Sequence, residues 1–196
     1  MSRKVAPKII DLKKLSFWLS IVLLLVNGIL FFAFWRHELA LNLSHFFSQN
    51  FKSVIIQMLV GYVILVVAFI FGIVLHELIH GLCFAFFCKK GFKSIRFGIR
   101  KNPLVFYTHC AEPLKRIPFW IGTLAPCAIL GIIPTLIGQT IGSLGLIVFG
   151  FLFTAFSVGD IYLVWEAGVL KKTDVVLDDP ENIGFMIVDS EKELDF

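Results

Sequence analysis

The sequence predicts an all-α membrane protein of about four transmembrane helices, carrying a small cytosolic β-hairpin and an acidic C-terminal tail. Three observations predict it. Hydrophobic residues make up 58% of the 196-residue chain, with 22 phenylalanines, where soluble domains hold about 45–50%. These residues gather into four long runs rather than half-faced or alternating patterns. The basic residues sit beside the runs, where lipid head groups account for the net charge of +4 without any nucleic-acid partner.

The first run, residues 16–35, carries no charge, and at about 1.5 Å per residue it matches a hydrocarbon core of roughly 30 Å. Phe34-Trp35-Arg36-His37 follows it in place of a small-x-small cleavage site, so the segment is expected to be a retained span rather than a signal peptide. The second run, residues 54–88, has only His76, Glu77 and His80 as titratable groups. It exceeds one simple span, and either a cytosolic-side extension or a break near Gly81 is expected to absorb the excess. The third run starts at Pro118, a residue suited to a first helical turn, and reaches about Ile137 through Gly122, Pro126, Gly131 and Pro134. The fourth, from Leu144 to about Leu170, contains Asp160 and Glu166.

Five Lys and Arg residues precede the first run, eight lie between Lys89 and Arg116, and three follow the fourth run. Only Arg36 and Lys52 lie between the first two runs. With four spans, the excess of cations on cytosolic loops predicts a multi-pass protein of the cell membrane with both termini cytosolic. Within the basic loop, residues 92–100 alternate apolar and polar, and residues 104–107 after Asn102-Pro103 offer the return strand of a hairpin. The acidic tail, residues 173–196, holds two β-prone runs, 175–177 and 185–188, around Asp178-Asp179-Pro180. A docking strand and an unstructured end are both compatible with it. Cys83, Cys88, Cys110 and Cys127 form no CxxC pair and read as free thiols.

At about 100° per residue, His76 and His80 fall within about 40° of each other one turn apart, so both imidazoles can reach one tetrahedral metal. Glu77 lies about 60° from His80, placed to approach a water without being a ligand, as a metallopeptidase requires of its general base. Such a pattern arises by accident in soluble helices. Here each ionisable group at mid-bilayer costs roughly 2.5–3.5 kcal/mol, and three in five residues are not expected to stand idle.

A catalytic zinc needs a third protein ligand, and depth points to Asp160. His76 and His80 lie 13 and 9 residues before Lys89, and Asp160 lies 11 before Lys171. At about 1.5 Å per residue these are depths of roughly 20, 14 and 17 Å in regular helices. His109 and Glu112, at the edge of the basic loop, are the alternatives, while Glu166 is expected nearer the interface and His37 and His45 on the far side.

Val74-Leu75-His76-Glu77-Leu78-Ile79-His80-Gly81, then Thr108-His109-Cys110-Ala111-Glu112-Pro113-Leu114 before a Pro-containing run, then Gly159-Asp160, resemble in that order a family of small integral-membrane zincin peptidases. The resemblance covers roughly residues 54–172. More distantly the layout is similar to site-2 proteases, which pair an HExxH helix with an Asp on a later span, although Gly159 precedes Asp160 here and follows the Asp there.

The resemblance implies a membrane metallopeptidase-like domain over residues 1–172, with residues 173–196 as a cytosolic tail. It implies zinc held by His76, His80 and Asp160, Glu77 as general base, and a membrane protein or peptide as substrate among membrane lipids. A non-enzymatic metal-binding scaffold or chaperone is the rival from another class. A metal or solute carrier is disfavoured because the four runs show no inverted repeat.

Overall fold

In the computed structural model, which describes residues 3–5, 9–101, 104–168, 174–178 and 184–188, helices dominate. A strand β1 (Arg3–Val5) precedes helix α1 (Ile9–Ser48), which overruns the expected first run at both ends. No Pro or paired Gly interrupts it, and Arg36-His37-Glu38 are polar residues that a helix tolerates. Helix α2 (Phe51–Phe87) follows at once, opened by Asn50, whose side chain accepts from the Lys52 amide.

Of the two outcomes expected for this long run, α2 shows the extension and not the break. Gly81 lies inside the helix for reasons of space. A Cβ there would meet the Phe97 ring at 2.4 Å, so the missing side chain lets the loop beyond α2 fold back onto it. That loop is the expected hairpin. After a 3-10 turn (Gly91–Ser94), β2 (Ile95–Lys101) pairs antiparallel with β3 (Leu104–Cys110), in the register Ile95↔Cys110 to Lys101↔Leu104. The hairpin starts three residues later than the alternation suggested, and its return strand runs three residues further, which brings Thr108, His109 and Cys110 onto β3.

The short β4 (Leu114–Lys115) leads into α3 (Arg116–Pro126), a six-residue π-helical stretch (Cys127–Ile132) and α4 (Ile133–Ile141). The widened turn falls between Pro126 and Pro134, where missing amide donors break the regular bonding ladder. Gly142, at φ 70°, closes α4. The fourth run divides into α5 (Leu144–Phe156) and α6 (Val158–Gly168), bent by 48° at Ser157. Among the described residues, three helices are long and apolar enough to cross a membrane, or four if this bent pair is one span.

The mostly helical expectation stands, and a second sheet adds to it. Strands β5 (Val175–Asp178) and β6 (Phe185–Val188) pair antiparallel, and the order β1-β6-β5-β4 joins the start of the chain, the approach to α3 and the tail. Val176 and Phe185 share one buried cluster with Phe84, Ile95, Cys110, Leu114, Phe119 and Ala167. Strands β5 and β6 therefore dock where α2, the hairpin and α3 meet. Asn102-Pro103, Lys171 and Lys172, Asp179-Pro180 and residues 189–196 lie outside the described residues. The four cysteines are free thiols, with Cys88 and Cys110 in contact at 3.2 Å.

Candidate metal centre

The carbonyl of Gly122 on α3 fixes the orientation of the site. It lies 2.9 Å from His80 Nδ1, and because a carbonyl only accepts, that nitrogen must carry the ring proton. In the neutral ring His80 Nε2 then turns its lone pair inward. It faces His76 Nε2 at 3.2 Å and Asp160 Oδ1 at 3.5 Å, while Asp160 Oδ2 lies 3.2 Å from His76 Nε2.

Both imidazoles are almost fully buried. Lone pairs and a carboxylate this close repel unless a cation, proton or metal, lies among them. The ligand atoms of His76, His80 and Asp160 all fall within 4.8 Å of one another, and two imidazoles with one carboxylate suit zinc. These residues fit a possible zinc site by geometry and by donor chemistry.

The surroundings hold the rings in place. His80 stacks on Phe84 with 9° between planes, and His76 packs edge-on against Phe156 at 5.2 Å between ring centroids. Gly122 has room to approach because the Phe84 ring occupies the space its Cβ would need, 2.3 Å away. Asp160, in the first turn of α6, reaches the same point despite the bend at Ser157. The bend comes before Asp160, and α6 is regular from there to Gly168.

Glu77 stands beside this cluster, half-buried on α2. Its Oε2 lies 2.8 Å from the Thr108 hydroxyl, which is also 2.8 Å from the Glu77 carbonyl oxygen. Thr108 was not singled out from the sequence. The sequence named it only within the motif that carries the resemblance and gave it no role.

The two alternative third ligands are engaged elsewhere. His109 pairs with Asp178 at 3.0 Å, and the Cys110 amide donates to the same carboxylate. Burial pushes the Asp178 carboxyl above its usual range, although His109 and that amide pull it back. Glu112 accepts from the Lys89 amide at 2.7 Å, from the Lys90 amide at 3.0 Å and from the Ser94 hydroxyl. Burial works against ionisation of Glu112, but these donors outweigh it and hold its carboxyl below the usual range. Glu166 is half-buried further along α6, and His45 on α1 contacts Gln49; neither belongs to the cluster.

Among known families, one described as "Putative zincin peptidase" matches residues 69–172. That span contains His76, Glu77, His80, Thr108 and Asp160. No curated protein and no solved structure matches the chain.

Proposed function

Because the chain belongs to the putative zincin peptidase family, we propose that it is a zinc-dependent peptidase working at or within the bilayer. His76, His80 and Asp160 hold the metal and Glu77 is the general base. The observation that carries this reading is the meeting of two imidazoles from α2 and a carboxylate from α6 at one buried point, with a further carboxylate beside it.

When bound, zinc supplies Lewis acidity that activates water and polarises a scissile carbonyl. Glu77 takes the proton of the attacking water and delivers it to the leaving amine. The Thr108 hydroxyl holds Glu77 Oε2, which leaves Oε1 to receive that proton. Gly122 keeps His80 in the tautomer whose Nε2 is a ligand.

The exposed Leu, Ile, Val and Phe residues along α1 and α2 suit contact with lipid tails. A bilayer location therefore accounts for surfaces that water would penalise. The substrate is a membrane protein or peptide in extended form, since a helical peptide bond is shielded. The hairpin offers strand edges to which such a segment could add.

Elemental analysis of the purified protein tests the reading. One zinc per chain is expected for wild type and for Glu77→Gln, and none for His76→Ala or Asp160→Ala. Glu77→Gln should lose hydrolysis by about 10²–10⁴-fold. Zinc retained by both ligand variants, or undiminished hydrolysis in Glu77→Gln, would overturn it.

A further inference from the structure

We propose that Thr123 is a positioning residue of the metal centre, its hydroxyl donating to the Asp160 carboxylate and holding it for the metal. This rests on the metal-centre reading above. Thr123 is only 3% exposed, and its Oγ1 has no hydrogen-bond partner among the described residues. Helical threonines ordinarily satisfy themselves on a carbonyl of the preceding turn. Thr135 and Thr154 do so here, each at 2.9 Å from a carbonyl four residues back. Thr123 does not, so its donor is kept for something else.

The packing of α3 on α6 shows what that is. Phe119 and Thr123 on α3 and Cys127 at the start of the π-helical stretch, spaced four apart, follow one another along the same helical run. At one end Phe119 shares a cluster with Leu163 and Ala167 of α6. At the other, the Cys127 thiol lies beside the Ser157 hydroxyl and within electrostatic reach of Asp160. The helices therefore run antiparallel, and Thr123, midway along that run, comes level with the stretch between Ser157 and Leu163. Asp160 lies there.

Gly122, one residue earlier, already holds His80, so α3 supports one ligand through its backbone and the next through this side chain. Asp160 meets the two imidazoles through its two oxygens, and each carboxylate oxygen accepts more than one bond. Thr123 is the donor available to the carboxylate once a metal takes the imidazole lone pairs. Ligating carboxylates are themselves regularly hydrogen-bonded, and removing such a partner costs about 10–100-fold in metal affinity.

The test is a competition titration of zinc against a chelator, using the full chain in lipid nanodiscs. Thr123→Val keeps the shape and deletes the donor, and it should weaken zinc binding by about 10–100-fold. Thr123→Ser restores the donor and should bind as wild type does. Thr123→Val should melt close to wild type with zinc stripped by the chelator, which separates a lost metal contact from a lost fold. Should the valine variant not fold, Thr123→Ala is read in the same way.

Wild-type affinity in the valine variant, beside a wild type that needs Asp160 for zinc, overturns this inference alone. Serine as weak as valine overturns it too. A folded wild type that binds no zinc, or binds it without His76 and Asp160, overturns the metal centre and this inference together.

Discussion

Thr108 binds Glu77 from a different element, and the contact matters because a general base must present one particular oxygen to the water it activates. The hydroxyl reaches both Glu77 Oε2 and the Glu77 carbonyl, so it ties side chain and backbone of the same residue to β3. Hydrogen bonds to charged groups are worth about 1.5–3 kcal/mol, and about 1.4 kcal/mol is tenfold in rate. Thr108→Val is therefore expected to lower kcat about 10–100-fold while leaving zinc content and KM unchanged, with Thr108→Ser close to wild type. An unchanged kcat in a steady-state assay would remove Thr108 from the mechanism.

The spacing of His76, Glu77 and His80 was legible in the sequence because helical geometry alone relates them. Asp160 was picked out by counting residues back from the flanking lysines, and its side chain does meet the two histidines. Thr108 was not, because its approach to Glu77 depends on a strand three residues longer than the alternation suggests and on how the hairpin folds over Gly81. His109 and Glu112 stood open as ligands until their partners on β5 and the 3-10 turn were seen.

At the scale of elements, Glu112 ties the end of α2 to the hairpin. It binds the Lys89 and Lys90 amides and the Ser94 hydroxyl on one side of the turn, from a position just beyond β3 on the other. A carboxyl held below its ordinary value stabilises the fold in its charged form. That contribution is complete above the ordinary value of 4.5 and is lost as pH falls through the lowered one. Glu112→Gln should therefore lower the thermal midpoint at neutral pH, and the gap to wild type should close on acidification through the carboxylate range. A gap that stays constant in melts across that range would mean that charge plays no part.

The helical runs were readable from composition, whereas the π-helical stretch, the bend at Ser157 and the second sheet were not. A sheet that joins β1 to β6 and β4 to β5 pairs residues far apart in the chain. Single-run periodicity carries no information about such partners.

For the whole molecule, that sheet constrains how the chain can lie in a membrane. Strands β1, β4, β5 and β6 belong to one sheet, so if the chain spans a membrane as proposed, these four strands share one side. An even number of crossings must then separate β1 from β4 and β4 from β5. Helices α1 and α2 supply two. The segment from α3 to α6 supplies two only if the bent α5–α6 pair counts as a single span, which supports four spans over three. The excess of Lys and Arg in the hairpin loop supports the cytosol as the shared side.

Single cysteines in a background lacking Cys83, Cys88, Cys110 and Cys127 test this. A membrane-impermeant maleimide added to intact cells should label Lys52→Cys, in the first turn of α2, and should reach Lys93→Cys, in the 3-10 turn before β2, only after the membrane is permeabilised. Labelling of both from outside would break the four-span arrangement. The reverse pattern would keep four spans and invert them, moving the sheet and the Thr108 contact to the outer face.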